Sequence, residues 1–372
     1  MTFLEHLTPS DEAGMIREAA EKWTAGISDS DVRASKGFSP TRWVDMAEMG
    51  WHGLLADPDH GGLALGPAAL SLLCQAIGRA RLPEPFIASS VVCVGTLTAL
   101  GQDVTALVDG SAIAAPAGFG LPCDGPSSAI TASAGDEGHR LSGTIDICEA
   151  GPDTTEFLVA TKGADALYHL PRATEGLTVT PYGAIDGRPL ARLAFDCVVP
   201  ADARLASGDA ARAAIRRGNA LAVSALTADA TGAIEKAIDL TTAYIDERSQ
   251  FGQPLAAFQA LRHMVADLLV ELEAARSMTD LAAFAAEDAG DAGDPKQLHD
   301  RVRARICRAA QTVGQTAIQL HGGMGMTDEM AIGHYFRRLI FLQAMLGQEA
   351  GALRDRAATL ATEIVMQREV VQ

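Results

Sequence analysis

The chain has 372 residues, 48% of them hydrophobic, with a mean hydropathy of +0.11: enough for two or three domains with substantial cores. Thirty basic against 47 acidic residues leave a net charge of -17, which argues against a nucleic-acid binder but not against a polyanionic small molecule held by a few arginines. The N-terminus has no basic-then-apolar leader and no run of about 18 apolar residues occurs, so a cytoplasmic protein without a membrane span is expected.

Residues 1–110 read as a helical domain. Trp43, Met46, Ala47 and Met49 form an apolar face that stops at Gly50, and Asp57-Pro58-Asp59-His60-Gly61-Gly62 is a turn cluster. A helical pattern resumes from Pro67 to Ile77 and breaks over Arg79 to Pro85. The apolar stretch Val91 to Leu100 closes at Gly101. The six cysteines are scattered without a C-x-x-C pair, as reduced, mostly buried thiols would be, so neither zinc nor disulfides are expected.

Residues 111–205 change texture to short strands punctuated by Gly, Pro and Asp. Strands are predicted over 111–115, 140–148, 156–161, 166–170, 177–181 and 191–198, a largely antiparallel sandwich or barrel.

Residues 206–372 are rich in Ala, Leu and Arg and read as long helices. Phe258, Leu261, Val265, Leu268, Leu272 and Ala275 recur every three or four residues, the stripe of a buried face; Val302, Ile306, Ala309, Val313, Ala317 and Leu320 do the same. A polar connector from Glu287 to Lys296, with Gly290, Gly293 and Pro295, separates them. A third helix is predicted from Asp328 towards Leu346. Together these make an antiparallel helical bundle, and an α+β fold for the whole.

Two motifs stand apart from this periodicity. In Arg248-Ser249-Gln250-Phe251-Gly252 the arginine offers a bidentate cation suited to a pyrophosphate, and the glycine allows a sharp turn. In Gln319-Leu320-His321-Gly322-Gly323-Met324-Gly325 the glycines let backbone N–H groups approach an anion closely. Taken singly, each also fits a plain helix end, with Gly252 as a cap and the Gly-Gly pair as a stop and restart. His321 reads as a packing or hydrogen-bonding residue and not as a base.

With helices, a β domain and a four-helix bundle carrying these motifs in this order, the sequence resembles the acyl-CoA dehydrogenase family over essentially its whole length. Glu48-Met49-Gly50-Trp51, Asp59-His60-Gly61-Gly62, Gly78-Arg79, Leu141-Ser142-Gly143-Thr144 and Arg192 to Pro200 are similar to further family stretches. The resemblance implies FAD as cofactor, an acyl-CoA thioester as substrate and an electron-transfer flavoprotein as acceptor. It implies that Arg248, Phe251, Gln259, Gln319, Gly322 and Gly323 reach the FAD of a neighbouring subunit, Arg248 at the pyrophosphate and Phe251 on the adenine side.

The chain departs from the family where the chemistry is done. Dehydrogenation needs a carboxylate at the α-carbon. The two positions where members carry it read Leu346 and Ala222, neither of which takes a proton. The loop that should cradle the flavin reads Pro116 to Asp124, without the family's acidic-Pro pair or Gly-Ser-Asp. The stretch that should back the flavin ring, Ile145 to Ala150, has no aromatic residue. The reading that follows is a base-lacking subunit of a heteromeric α2β2 enzyme for a steroid side-chain or other bulky acyl-CoA, completing the FAD site of a homologous partner that carries the base. Two alternatives are a complete homomeric enzyme with a relocated base, Glu349 before Glu247, and a non-enzymatic scaffold of the same fold.

Overall fold

The computed structural model describes residues 10–35, 37–120, 129–135, 138–287 and 295–370. Leu121 to Asp124 of the flavin-loop segment, and Gly290 and Gly293 of the connector, lie outside them.

The N-terminal helices are α1 (Asp11–Ala25), α2 (Asp29–Ala34), α3 (Pro40–Glu48), α4 (Pro67–Ala80), α5 (Val94–Thr98) and α6 (Thr105–Val108), with a π-helical stretch, Ile87–Cys93, running directly into α5. Local chemistry sets their starts. Ser10 caps α1, Ser28 and Asp31 form a capping box on α2, and Ser39 with Pro40 opens α3. Helix α4 runs through Gly78-Arg79, where the sequence pattern suggests a break, and ends with Arg81 in the left-handed conformation at φ 56°. Gly78 is a packing glycine: a Cβ there would collide with the backbone oxygen of Asp229, and one at Gly232 with that of Gln75. The two helices therefore cross almost backbone to backbone.

The middle region has two four-stranded sheets. Its strands are β1 (Ala114–Ala117), β2 (Thr131–Gly135), β3 (Gly138–Cys148), β4 (Glu156–Ala160), β5 (Ala166–Pro171), β6 (Leu177–Gly183), β7 (Pro189–Val199) and β8 (Arg204–Ser207). The sheet orders are β1-β4-β5-β8 and β2-β3-β7-β6, antiparallel except for the parallel pair β1–β4. Alternate residues of β7 (Ala191, Leu193, Phe195, Cys197, Val199) point inward and meet Phe157, Val159, Tyr168 and Leu170 of the other sheet, which makes a sandwich. The sequence pattern gives six of these strands within a few residues and omits β2 and β8.

Helix α7 (Gly208–Glu247) is 40 residues long and apolar through its middle, because α4 covers one side and the bundle helices the others. The bundle continues with the hairpin β9 (Ser249–Gln250) and β10 (Gln253–Pro254), then α8 (Gln259–Glu287), α9 (Pro295–His321), α10 (Ala331–Met345) and α11 (Gln348–Val370). All six stripe residues of α9 are buried. On α8 the predicted stripe holds only from Leu268 onward. Phe258, Leu261 and Val265 are half-buried, and Leu269 and Val270 face solvent at 48% and 65% exposure. Among the described residues no helix is long and apolar enough to cross a membrane.

Candidate functional site

The two motifs lie together because the last turns of α7 and α9 pack side by side. The Tyr244 ring stacks on His321 with centroids 4.3 Å apart, and its hydroxyl donates to the His321 carbonyl at 3.3 Å. His321 is buried, its Nδ1 lies 2.8 Å from the Ala317 carbonyl, and burial holds its pKa below the ordinary histidine value. These contacts give it the packing role read from the sequence. Tyr244 was missed there: a tyrosine one turn before a helix end carries no motif of its own.

Beyond Tyr244 the chain leaves α7 at Arg248 and turns back at Phe251 and Gly252, with φ 54° and 83°. A two-residue hairpin turn of this type needs two left-handed residues, so Gly252 is at ease and Phe251 is strained. The strain serves no packing within the chain. Phe251 is 92% exposed, with its ring edge-on to Phe258 at a centroid distance of 6.3 Å. Arg248, Gln259, Gln319, Gly322 and Gly323 are exposed as well, and Arg248 forms no ion pair among the described residues. Gly322 has φ 59°, which favours glycine, whereas Gly323 does not have a positive φ and a Cβ on it would meet open space. Neither backbone nor packing within this chain accounts for a glycine at 323.

The two base positions are closed. Leu346 caps α10 and is fully buried, its carbonyl accepting from Arg303 Nε at 2.8 Å; Ala222 is fully buried in α7. Glu349 lies half-buried in the first turn of α11, near the buried Cys307 thiol, whose pKa burial pushes up to about 12. Glu247, the last residue of α7, is exposed.

Residues of the two segments read as a degraded flavin cradle are committed to contacts within the chain. Phe119 is 4% exposed and packs on α7 at Gly218, one turn before Ala222; Gly120 N–H donates to Asn219 Oδ1 at 2.6 Å. Glu149, from the segment expected behind the flavin ring, is buried against Arg188 at 3.2 Å.

Arg188 belongs to a buried ionic cluster that sequence reasoning missed. Its Nη2 donates to the Leu82 carbonyl at 2.9 Å and lies 3.5 Å from Asp229. Arg338 of α10 bonds both oxygens of Asp229 on α7 and approaches Asp186 at 3.0 Å. All five charged side chains are at most 3% exposed. Burial raises the Glu149 pKa; burial also opposes the Arg338 charge, but Asp229 and Asp186 outweigh it and drive that pKa upward. One signal was present: Asp229 stands alone in a run of small and apolar residues from Ala220 to Ala233.

Two stretches match known family models: residues 10–105 the acyl-CoA dehydrogenase N-terminal domain, and residues 220–365 its C-terminal domain. The chain is 30% identical over 340 residues to the acyl-CoA dehydrogenase IpdE2 of Mycobacterium tuberculosis, covering 89% of this chain and 92% of that protein. Among solved structures it is similar to a single-residue variant of the Tcur3481–Tcur3483 steroid acyl-CoA dehydrogenase, at TM-score 0.85 and 25% identity, covering 95% of this chain and 99% of that one. It shares its fold with the ChsE4–ChsE5 complex of Mycobacterium tuberculosis at TM-score 0.84 and 22% identity, covering 97% and 99%.

Proposed function

Because this chain belongs to the acyl-CoA dehydrogenase family, we propose that it is the base-lacking subunit of a heteromeric, FAD-dependent enzyme that dehydrogenates a steroid-type or other bulky acyl-CoA. The observation that carries this reading is a split in the flavin site. The half turned outward is open and unspent: an unpaired exposed Arg248, a strained exposed Phe251 and an exposed Gly323 that nothing within the chain requires. That half suits the ADP portion of an FAD seated mainly in another subunit. The inner segments lack the family's flavin-cradling residues, and Phe119 and Glu149 from them are buried in contacts of their own.

Bound FAD supplies the hydride acceptor for α,β-dehydrogenation of the thioester. This chain contributes position and charge. Arg248 presents a fork of N–H donors for the pyrophosphate, Gly322 and Gly323 let backbone N–H groups come close, and Phe251 offers a face for the adenine. Gln259 and Gln319 lie at the same surface as further hydrogen-bonding groups. The proton is taken by a carboxylate of the partner, since Leu346 and Ala222 cannot take one. The names of the similar proteins support the steroid-type substrate and the two-chain assembly, and an electron-transfer flavoprotein is the acceptor this chemistry calls for.

The test is to purify the chain alone and co-expressed with a homologous dehydrogenase subunit that carries the base, recording flavin absorbance and assembly mass for each. A colourless single chain that becomes part of a yellow heteromer is the expected result. A stable yellow homo-oligomer with one FAD per chain would overturn the proposal and turn attention to Glu349.

A further inference from the structure

A concavity of about 240 Å³ lies where α2, the chain after α4, the β6–β7 turn and α10 meet. Its charged and titratable lining is Arg33, Arg81, His334, Arg337 and Arg338, with Asp186 the one carboxylate. On a chain of net charge -17 such a concentration of cations stands against the general balance.

The local ion pairs offset this charge but do not use every donor. Arg338 and Asp186 belong to the buried cluster already described. The three guanidiniums at the rim share two carboxylates. Arg33 and Arg81 both draw on Asp29, and Arg337 on Asp328. With Arg188 and Arg338 included, five guanidiniums face five carboxylates (Asp29, Asp328, Asp186, Asp229 and Glu149), so the charge is balanced and what is unspent is a hydrogen-bond donor. The His334 ring spans the rim, Nε2 lying 3.3 Å from Arg33 Nη1 and Nδ1 3.2 Å from Arg337 Nη2, so it adds no negative charge there. Arg81 is the most telling member. It is 6% exposed, and its Nε is buried without a hydrogen-bond partner. Its backbone sits at φ 56°, a conformation L-residues rarely adopt, and strain of that kind collects at binding sites. A buried guanidinium N–H without an acceptor calls for one.

We propose that this concavity is an anion site for a phosphate group, either the free ion or the phosphoryl group of a small metabolite. Convergent arginines are the side chains best matched to phosphate oxygens. The space exceeds one phosphate and leaves room for a few carbon atoms, but falls below what a drug-sized ligand needs. This proposal is independent of the flavin reading.

Arg33 and Arg337 are 43% and 36% exposed, so Arg33→Gln and Arg337→Gln leave the core untouched. The full chain, with its partner subunit where one co-purifies, is titrated by thermal unfolding with inorganic phosphate and, separately, with glycerol 3-phosphate. Potassium chloride at matched ionic strength is the control. The expected result is a saturable rise of roughly 2 °C at ten times the midpoint concentration, lost in both variants. Whichever probe saturates at the lower concentration identifies the free ion or the ester as the fitting form. No saturable rise with either probe beyond the chloride control, or the same midpoint in wild type and both variants, would overturn the site.

Discussion

Among the described residues Arg248 is a cation kept out of every ion pair, on a protein that pairs many of its other arginines. Keeping it free costs nothing in folding, so removing it should cost nothing either. Arg248→Ala is expected to lower FAD retention by the assembled enzyme about 10- to 100-fold, the worth of one charge-assisted contact, with the melting temperature of the chain unchanged. Gly323→Val should give the same pattern, because the new side chain points into open space until a cofactor arrives. Equal flavin content in both variants and wild type, read by absorbance after gel filtration, would remove these residues from the site. His52 shows the opposite case, a group committed wholly to the fold. It is fully buried, with Nε2 donating to the Trp43 carbonyl at 3.0 Å and Nδ1 2.7 Å from the Ser90 hydroxyl. Burial lowers its pKa to about 4, against the hydrogen bond to Trp43, which favours the charged ring. The folded pKa lies below the unfolded 6.5, so the stability from the neutral ring is complete above pH 6.5 and is lost as the pH falls towards about 4. The loss is on the order of 3 kcal/mol. Urea midpoints at pH 7 and pH 5 should separate in wild type and converge in His52→Gln.

At the scale of elements, the crossing of α4 and α7 depends on two glycines, each facing the other helix's backbone. Gly232→Ala is expected to destabilise the protein by about 1–3 kcal/mol through overpacking, despite the better helix propensity of alanine. A change below about 0.5 kcal/mol by denaturant unfolding would mean that the crossing yields. The same crossing shows what a sequence conceals. Gly78 sits in a pattern that otherwise signals a helix stop, and only the approach of α7 reveals it as a contact. Periodicity read correctly wherever one chain supplies both sides of an interface, as with Val302 to Leu320 of α9 and the inward residues of β7. It overreached at Leu261 and Val265, which pack against the edge of the core but stay half-buried. Both motifs could be picked out in the sequence because they are contiguous, and the structure brings them side by side. Phe119 and Glu149 were visible only as departures from a pattern, since what buries them is distant in sequence: Gly218 on α7 for Phe119 and Arg188 for Glu149.

At the scale of the molecule, the cluster of Glu149, Asp186, Arg188, Asp229 and Arg338 joins the N-terminal helices, the sandwich and the bundle at one buried point. Asp229 is its hub, holding Arg338 and reaching Arg188. Asp229→Ala strands two buried guanidiniums and should cost about 3–5 kcal/mol, seen as a large drop in denaturant midpoint with the sandwich and bundle still unfolding together. A loss under about 1 kcal/mol would mean that water or a rearranged carboxylate takes its place. The proposed split of the flavin site also has an arithmetic consequence. In a two-fold pair of unlike chains, each cofactor seat takes an inner half from one chain and an outer half from the other. If this chain offers only outer halves, a four-chain assembly carries two flavins and not four. Its companion's own outer-half residues then touch nothing, and are free to drift without loss.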